Sequence, residues 1–378
     1  MRKRGKVAVV VLSLVVVAAV AAACVGGKAP AQPAKPTPKI DITLDSVRGV
    51  AVGEPVRLVG ALRHAGSENN TVIALQQMTD GRWSNVATQR IQDDMSYAFL
   101  RIFDNPTKLV YRTVASKNGK TLGVSAPEQV TVSSPPKPSG TKLSPDLGAK
   151  KLTDCAAGEQ PCFRILSSEG RRLLKFPAVT VNIGEGPVEI HGYRSTFTST
   201  DWIATLRTYY SSGDTQSHSA PKIVYYWAGD GHNHWHIKDF DYYQVLDKNG
   251  ATLAVSEKHG FCFEDNTEFR DWSQNPKEHP QVPLNPVYKH ESACGEQRPD
   301  ATSIVHGLSV GWADTYPTTL PDQFIDITDL PDGEYVARVK VDGQGLIKES
   351  NEDNNTASVG ITIKGTSVTV DSSSATGL

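Results

Sequence analysis

Short stretches in which apolar and polar residues alternate recur along the chain and predict β-strands. Between residues 40 and 133 they are separated by Gly, Asn or Asp, and they read IDITLDS, PVRLVGAL, TVIALQQM, WSNVATQ, SYAFLRIF, KLVYRTVAS and EQVTVSS. Successive side chains of a strand point to opposite faces, so each stretch can bury one face and expose the other. About seven short strands in about 95 residues predict an immunoglobulin-like β-sandwich over residues 40–133.

The pattern from residue 144 to about residue 365 is again that of strands, with long loops between them and no amphipathic helical periodicity. Its strand-like stretches are FPAVTVNIG, PVEIHGY, IVYYWAG, DYYQVLD, QFIDITD, EYVARVKVD and SVGITIK. The intervening SPPKPSGTKL at 134–143 has the composition of a linker. Residues 366–378 are small and polar, and we expect a flexible tail. The chain is therefore predicted to be all-β, with two folded domains.

The N-terminus has the pattern of an export signal. Basic residues precede an apolar run from Val7 to Ala23, and small residues stand directly before Cys24. This arrangement resembles a bacterial lipoprotein signal, in which residues 1–23 are removed and Cys24 becomes the lipidated N-terminus. Two alternatives are cleavage after an A-x-A site and an uncleaved membrane anchor. All three place the chain outside the cytoplasm, and the Pro/Ala-rich residues 24–39 are expected to form an extended tether.

Length and charge exclude some classes of function. The chain has 378 residues, enough for two domains. Its 39 Lys and Arg residues balance 41 Asp and Glu residues, which gives a formal net charge of −2. A nucleic-acid-binding protein usually carries a strongly basic face, so nucleic acid is not an expected partner.

Four of the five cysteines lie in the second domain and predict two disulfides in an exported protein. Three pairings are possible. We favour Cys155–Cys162, which closes a short loop, together with Cys262–Cys294, which closes a longer one. The alternative is a metal-binding pair of cysteines, but free thiolates outside the cell are prone to oxidation.

His232, His234 and His236 alternate with Asn233 and Trp235. On a β-strand the three imidazoles would share one face, whereas on a helix they would be scattered. Three convergent imidazoles predict a transition-metal site, and the spacing does not distinguish copper from zinc. The alternative is three surface histidines in a loop.

The segment GHNHWH at 231–236 resembles the copper-binding H-x-H-x-H segment of the lysyl oxidase family. Further similar segments follow in the order of that family: LLKFP at 173–177 comes before the histidines, and KHGFCFED at 258–265, ADTY at 313–316, FIDITDLPDGEY at 324–335 and KESNEDNN at 348–355 come after them. The resemblance covers about residues 144–362 and implies a β-sandwich-like catalytic domain with long loops. The first domain lies outside it.

The resemblance implies a copper ion bound by the three histidines and a lysine tyrosylquinone cofactor. The cofactor lysine precedes the cysteine of the F-C-x-E-D motif by four residues, which is Lys258, and the tyrosine closes the D-T-Y motif, which is Tyr316. Such a domain oxidises primary amines, either lysine side chains of extracellular proteins or small amines, with O₂. The products are an aldehyde, ammonia and hydrogen peroxide. Asp314 and His259 adjoin the cofactor residues and are candidates for the catalytic base.

A calcium site is also implied by the resemblance. The animal members hold calcium with an E-S-D-x-x-N-N run and an Asp-Leu pair near the start of the domain. The corresponding residues are Asp146, Leu147, Glu349, Asn351, Asn354 and Asn355. Asn351 replaces the family's aspartate, which removes one negative charge from a set of oxygen ligands. The alternative is a polar turn between two strands.

These observations predict an exported, lipid-anchored, copper- and quinone-dependent amine oxidase with a spacer domain. Two other classes of function are considered. One is a non-catalytic metal-binding or adhesion protein of the cell surface. The other is a zinc hydrolase that uses the three histidines and a water molecule. The hydrolase explains neither Lys258 nor Tyr316.

Overall fold

The computed structural model describes residues 41–46, 49–63, 70–155, 157–229, 232–256, 260–269, 282–320 and 322–378. The predicted signal peptide, Cys24 and the tether lie outside the described residues, and so do Lys258 and His259. In the part of the chain that is described, no helix has the length and apolar character needed to cross a membrane.

The prediction of an all-β fold is confirmed, since 53% of the structure is strand and 2% is helical. The N-terminal strands are β1 (Asp41–Ile42), β2 (Asp45–Ser46), β3 (Val50–Ala51), β4 (Val56–Arg63), β5 (Val72–Thr79), β6 (Arg82–Arg90), β7 (Ser96–Arg101), β8 (Thr107–Lys117), β9 (Lys120–Val124) and β10 (Glu128–Ser133). They form one sheet of order β1-β4-β2, with β7 beside β4, and a second of order β3-β10-β8-β5-β6, with β9 beside β8. Both sheets contribute to one hydrophobic cluster, as in a sandwich. The immunoglobulin-like assignment stays a prediction.

The remaining strands are β11 (Lys142–Leu143), β12 (Leu147–Ala149), β13 (Arg164–Ser168), β14 (Arg171–Lys175), β15 (Ala178–Asn182), β16 (Val188–Arg194), β17 (Trp202–Tyr210), β18 (Thr215–Ser219), β19 (Tyr225–Ala228), β20 (His234–Lys238), β21 (Tyr242–Leu246), β22 (Thr252–Val255), β23 (Gly260–Phe261), β24 (Thr267–Glu268), β25 (Ser303–Leu308), β26 (Trp312–Tyr316), β27 (Ile325–Asp326), β28 (Gly333–Lys340), β29 (Thr356–Lys364) and β30 (Ser367–Thr376). Two short 3₁₀ helices, Ala157–Glu159 and Ala293–Gly295, occur among the described residues.

Two of the sheets in this part position the candidate site. The sheet of order β12-β15-β26-β24 carries the D-T-Y motif on β26, and the sheet of order β19-β20-β23 carries the histidines on β20. Both contribute to one large hydrophobic cluster, which includes Trp235, Phe261 and Tyr316. The packed core therefore holds together segments that are far apart in sequence.

The N-terminal sheets contact the second part of the chain around Ser217. The Ser217 hydroxyl donates to Glu54 at 3.1 Å, and the Ser219 N–H donates to Asp104 at 3.2 Å. Gly53 adopts a φ of +81°, and a Cβ there would collide with the Ser217 backbone. Residues 40–378 form one compact unit with two separate hydrophobic clusters, and the predicted domain boundaries stay predictions.

The structure differs from the expectation of a flexible tail at 366–378. Residues Ser367–Thr376 form β30, which pairs antiparallel with β29. Val368, Val370 and Ala375 pack against the hydrophobic cluster, so this polar stretch has enough apolar side chains to dock. The N–H of Leu378 donates to the carbonyl of Ala149, and its carbonyl accepts the N–H of Lys151.

Two disulfides join Cys155 to Cys162 and Cys262 to Cys294, which is the favoured pairing. The second closes 32 residues and lies beside the candidate site. The cysteines are therefore not a metal-binding pair in this structure.

Candidate active site

The three histidines of the H-x-H-x-H segment converge. Their ring centroids lie 4.7–5.5 Å apart, and their ligand nitrogens lie within 4.8 Å of one another. Only His234 and His236 lie on β20, which differs from the expectation that all three share one strand. Asn233 adopts a left-handed conformation with a φ of +52°, and this turn precedes the strand and carries His232 to the same cluster.

Trp235 points away from the histidines, as strand alternation predicts. Its ring packs edge-on against Trp202 at 4.8 Å and Trp227 at 5.5 Å. The Arg194 guanidinium lies 4.7 Å from the centroid of the Trp235 ring. This packing anchors β20 in the core and orients the imidazoles on its other face.

Two of the histidines have partners on their second ring nitrogen. His234 Nδ1 lies 2.8 Å from a Glu296 carboxylate oxygen, and His236 Nδ1 lies 3.2 Å from the Tyr226 hydroxyl. The Nε2 atoms of His234 and His236 lie 2.8 Å from each other. Partners on Nδ1 leave Nε2 as the ligand atom, and two Nε2 lone pairs so close repel unless a proton or a cation lies between them.

Burial lowers the pKa of His234, and the hydrogen bond that the ring donates to Glu296 offsets this only in part. The side chain is therefore held in its neutral form, which is the form that binds a metal. The three nitrogens thus fit a metal such as copper or zinc, for which ligand nitrogens about 2 Å from the ion lie roughly 3 Å apart.

Strand β23 brings the segment that follows Lys258 against the histidines. Gly260 and Phe261 pair with Lys238 and Ile237 of β20. A Cβ at Gly260 would collide with His236, so only glycine fits this close approach. Lys258, two residues earlier in the sequence, lies outside the described residues.

Tyr316 is the last residue of β26 and is 5% exposed. Its hydroxyl accepts the N–H of Cys262 at 2.8 Å and donates to the carbonyl of the same residue at 3.1 Å. Its ring stacks on Phe261 at 4.9 Å. Burial, and next the nearby charge of Asp314, raise the pKa of Tyr316 well above its ordinary value, which keeps the phenol neutral.

Asp314 lies two residues before Tyr316 and so on the same face of β26. It is 1% exposed, and one of its oxygens accepts the Asn266 amide at 2.6 Å.

One cavity of about 420 Å³ connects these groups. Its wall includes His232, His234, Glu264, His290, Asp314 and Tyr316. None of the described residues that line it is a lysine or an arginine. His232, His234 and Tyr316 therefore face a common space, and carboxylates and imidazoles form part of its wall.

Sequence reasoning missed Glu296, Tyr226, Glu264 and His290. Glu264 belongs to the F-C-F-E-D stretch at 261–265, and its place in this motif could have marked it as a candidate site residue. The other three stand in no motif, and only the folded chain brings them to the histidines or the cavity.

The residues selected for calcium also gather, apart from one. Asn354 donates to Asp146 at 2.7 Å, Asn355 donates to Glu349 at 2.8 Å, and the Leu147 N–H donates to Glu349. The side-chain amide oxygens of Asn354 and Asn355 are buried, and no described residue forms a hydrogen bond with them. Burial raises the pKa of Glu349 to about 8.

Asn351 is exposed, and its side-chain oxygen accepts the N–H of Asp353 at 3.1 Å. The structure therefore does not bring this residue into the gathered set. The two buried amide oxygens that lack a donor are the feature that a cation would satisfy.

Comparison with known proteins finds similarity to lysyl oxidases. The lysyl oxidase family model matches residues 288–373. Human protein-lysine 6-oxidase is 32% identical over 139 residues, which are 36% of this chain and 28% of the relative. The pig protein of that name is 31% identical over 36% of this chain and 46% of the relative. Human lysyl oxidase homolog 1 is 34% identical over 33% of this chain and 18% of the relative.

The chain thus spans less than half of the length of these relatives. Residues 288–373 are thus similar to the lysyl oxidase family, and the resemblance seen in the sequence is confirmed.

Proposed function

We propose that residues 144–365 form an amine oxidase that uses copper and a lysine tyrosylquinone and converts primary amines to aldehydes, ammonia and hydrogen peroxide. The observation that carries the proposal is the cavity shared by His232, His234 and Tyr316. Family similarity supports the same activity, since the relatives are named as lysine oxidases. The alternative is a non-catalytic metal-binding or adhesion protein of the cell surface.

Copper would be held by His232, His234 and His236, whose nitrogens converge. Glu296 and Tyr226 would orient two of these rings through Nδ1. The quinone would be formed from Lys258 and Tyr316, and when present it supplies a carbonyl group and accepts two electrons from the amine. Tyr316 is held in place for this by Cys262 and Phe261.

The cavity wall suits a substrate that arrives as an ammonium ion. Glu264, Glu296 and Asp314 are carboxylates on this wall, and no described lining residue is a fixed cation. A cationic amine is therefore attracted, whether it is a lysine side chain of an extracellular protein or a small amine. The cosubstrate is O₂.

Calcium at the cluster of Asp146, Leu147, Glu349, Asn354 and Asn355 is part of the proposal. Its support is the pair of buried amide oxygens without donors beside the Glu349 carboxylate. We also propose export and lipid anchoring to the membrane through Cys24, which rests on the signal-like N-terminus.

Peptide mapping tests the cofactor. We expect that protein loaded with copper in air yields the Lys258 and Tyr316 peptides as one cross-linked species, and that the protein stains as a quinone. Zinc-loaded protein should yield both as linear peptides, because zinc has no redox chemistry. Lys258→Arg should bind copper yet lack the cross-link, because a guanidinium stays protonated and cannot attack the oxidised ring.

Lys364→Arg is the matched control, since Lys364 is an exposed lysine on β29, and it should keep the cross-link and amine-dependent peroxide release. Linear Lys258 and Tyr316 peptides from copper-replete wild-type protein matured in air would contradict the proposal and favour the non-catalytic alternative.

A further inference from the structure

His290 and Glu264 form a side-chain pair on the wall of the cavity. His290 Nδ1 lies 2.8 Å from a Glu264 carboxylate oxygen, within hydrogen-bond distance. The His290 side chain is 59% exposed and that of Glu264 is 15% exposed. The His290 ring centroid lies 6.3 Å from that of His234. A half-open imidazole thus faces the space that Tyr316 also lines.

The two segments that carry this pair are joined covalently. Glu264 follows Cys262 by two residues and His290 precedes Cys294 by four, and the two cysteines form a disulfide. The Asp265 carboxylate adds two hydrogen bonds between the same segments, because it accepts the N–H groups of Val287 at 2.8 Å and Tyr288 at 3.1 Å. The pair is therefore held by its surroundings, unlike an isolated surface ion pair.

Glu264 is also fixed on its other oxygen. That atom accepts the Asn266 amide at 3.1 Å, while the second oxygen faces His290. A carboxylate that accepts from Nδ1 selects the tautomer in which Nε2 carries the lone pair. An imidazole oriented in this way can accept a proton through Nε2 from a molecule in the cavity.

Asp314, the carboxylate two residues before Tyr316, is placed differently. It is 1% exposed and one of its oxygens is engaged by Asn266. A base must reach a hydrogen atom on the substrate, and His290 is the more accessible of the two groups.

We propose that His290 is the catalytic base that removes the α-proton of the amine, and that Glu264 is a positioning residue for it. This inference rests on the proposed function. The α C–H bond breaks, the proton moves to His290 Nε2, and the bonding electron pair passes to the quinone of the proposed oxidase. The exposed ring then returns the proton to solvent.

The test compares His290→Ala, His290→Gln and Glu264→Gln with His218→Gln as the control. His218 is an exposed histidine on β18 outside the cavity. Copper-loaded proteins matured in air are titrated with phenylhydrazine to count the quinone. Peroxide release is then followed with butylamine and with its α,α-dideuterated form, each with and without added imidazole.

We expect both His290 variants to keep the quinone and to lose about 100-fold or more in kcat. The deuterium isotope effect should rise, because proton removal becomes fully rate-limiting, and imidazole should restore part of the rate of His290→Ala. Glu264→Gln should lower kcat less and leave KM unchanged, whereas His218→Gln should match the wild type.

Wild-type rates in the His290 variants would overturn this inference and leave the proposed function standing. Loss of the quinone in both His290 variants would also overturn it. So would an Asp314→Ala variant that shows the raised deuterium isotope effect and regains activity when a small carboxylate is added. Absence of quinone and turnover in the wild type would overturn the proposed function and this inference with it.

Discussion

Glu189 on β16 is a buried carboxylate with four partners. It accepts from the Tyr209 hydroxyl at 2.5 Å and the Tyr288 hydroxyl at 2.6 Å, and it lies 2.5 Å from His191 Nε2 and 2.7 Å from Arg207. Burial by itself would raise the pKa of Glu189, but the hydrogen bonds and the charge of Arg207 outweigh it and hold the pKa at about 2. Tyr288 belongs to the segment that carries His290, so this carboxylate also braces one wall of the candidate site.

We expect Glu189 to contribute stability that depends on pH. Its folded pKa is about 2 and its ordinary value is 4.5, so the contribution is present above about pH 4.5 and is lost as the pH falls towards 2. The shift corresponds to about 3 kcal/mol. Glu189→Gln should lower the free energy of unfolding at pH 7 by about that amount, measured by urea denaturation, and should flatten its decline below pH 4.5.

Glu185→Gln, a change at an exposed carboxylate just before β16, should leave the pH profile of stability unchanged. A steep acid limb that persists in Glu189→Gln would show that other carboxylates cause it.

At the scale of elements, the segment from Gly260 to Glu268 joins the parts of the site. It pairs with the histidine strand through β23 and with the Tyr316 strand through β24. Between these strands, Cys262 binds the Tyr316 hydroxyl through its backbone and Cys294 through its side chain. One short stretch thus positions the tyrosine and ties it to the loop that carries His290.

Replacing both Cys262 and Cys294 by serine should destabilise the protein more than the same change at Cys155 and Cys162. The loops closed are 32 and 7 residues long, for which chain entropy predicts about 4 and about 2 kcal/mol. Thermal and urea unfolding measure both losses.

The Cys262/Cys294 variant should also form less quinone per copper bound, because the segment that holds the Tyr316 hydroxyl is loosened. The Cys155/Cys162 variant is the control for that readout. Equal quinone yield in both variants would argue against a positioning role for the Cys262–Cys294 disulfide.

At the scale of the whole molecule, the proposed calcium cluster connects the beginning and the end of the second part of the chain. Asp146 and Leu147 lie about 200 residues before Glu349 and Asn354. The Ala149 N–H also donates to the Asn354 carbonyl, and the Ala149 carbonyl accepts the N–H of Leu378. An ion at this point would fasten the closing strands β29 and β30 to β12.

We therefore expect Ca²⁺ to raise the melting temperature of the whole chain. Binding to the folded state alone adds about 2.7 kcal/mol when the ion is at a hundredfold excess over its Kd. Glu349→Gln should abolish the response, because bound Ca²⁺ would favour the ionised form of Glu349 and glutamine has no such form. Asp353→Asn, at an exposed acid of the same segment, should retain it. If Ca²⁺ leaves the melting curve of the wild type unchanged, residues 349–355 are better explained as a polar turn between two strands than as a calcium site.

Much of the fold and part of the site follow from local pattern. The predicted strand segments all contain strands of the structure, because alternation with period two is a local property. His234 and His236 share a face for the same reason. The pattern did not predict β30, because its few apolar side chains stabilise a strand only when they pack against the core.

By itself the sequence predicted the all-β class, the resemblance to the lysyl oxidase family, the favoured cysteine pairing and the histidines of the proposed metal site, since each depends on residue type and spacing along the chain. The tertiary structure alone decided that Tyr316 hydrogen-bonds Cys262 across 54 residues and that Glu296 supports His234 across 62. It also decided that His290 joins the cavity. Such contacts depend on how the sheets pack, and packing is a property of the whole core that no local spacing encodes.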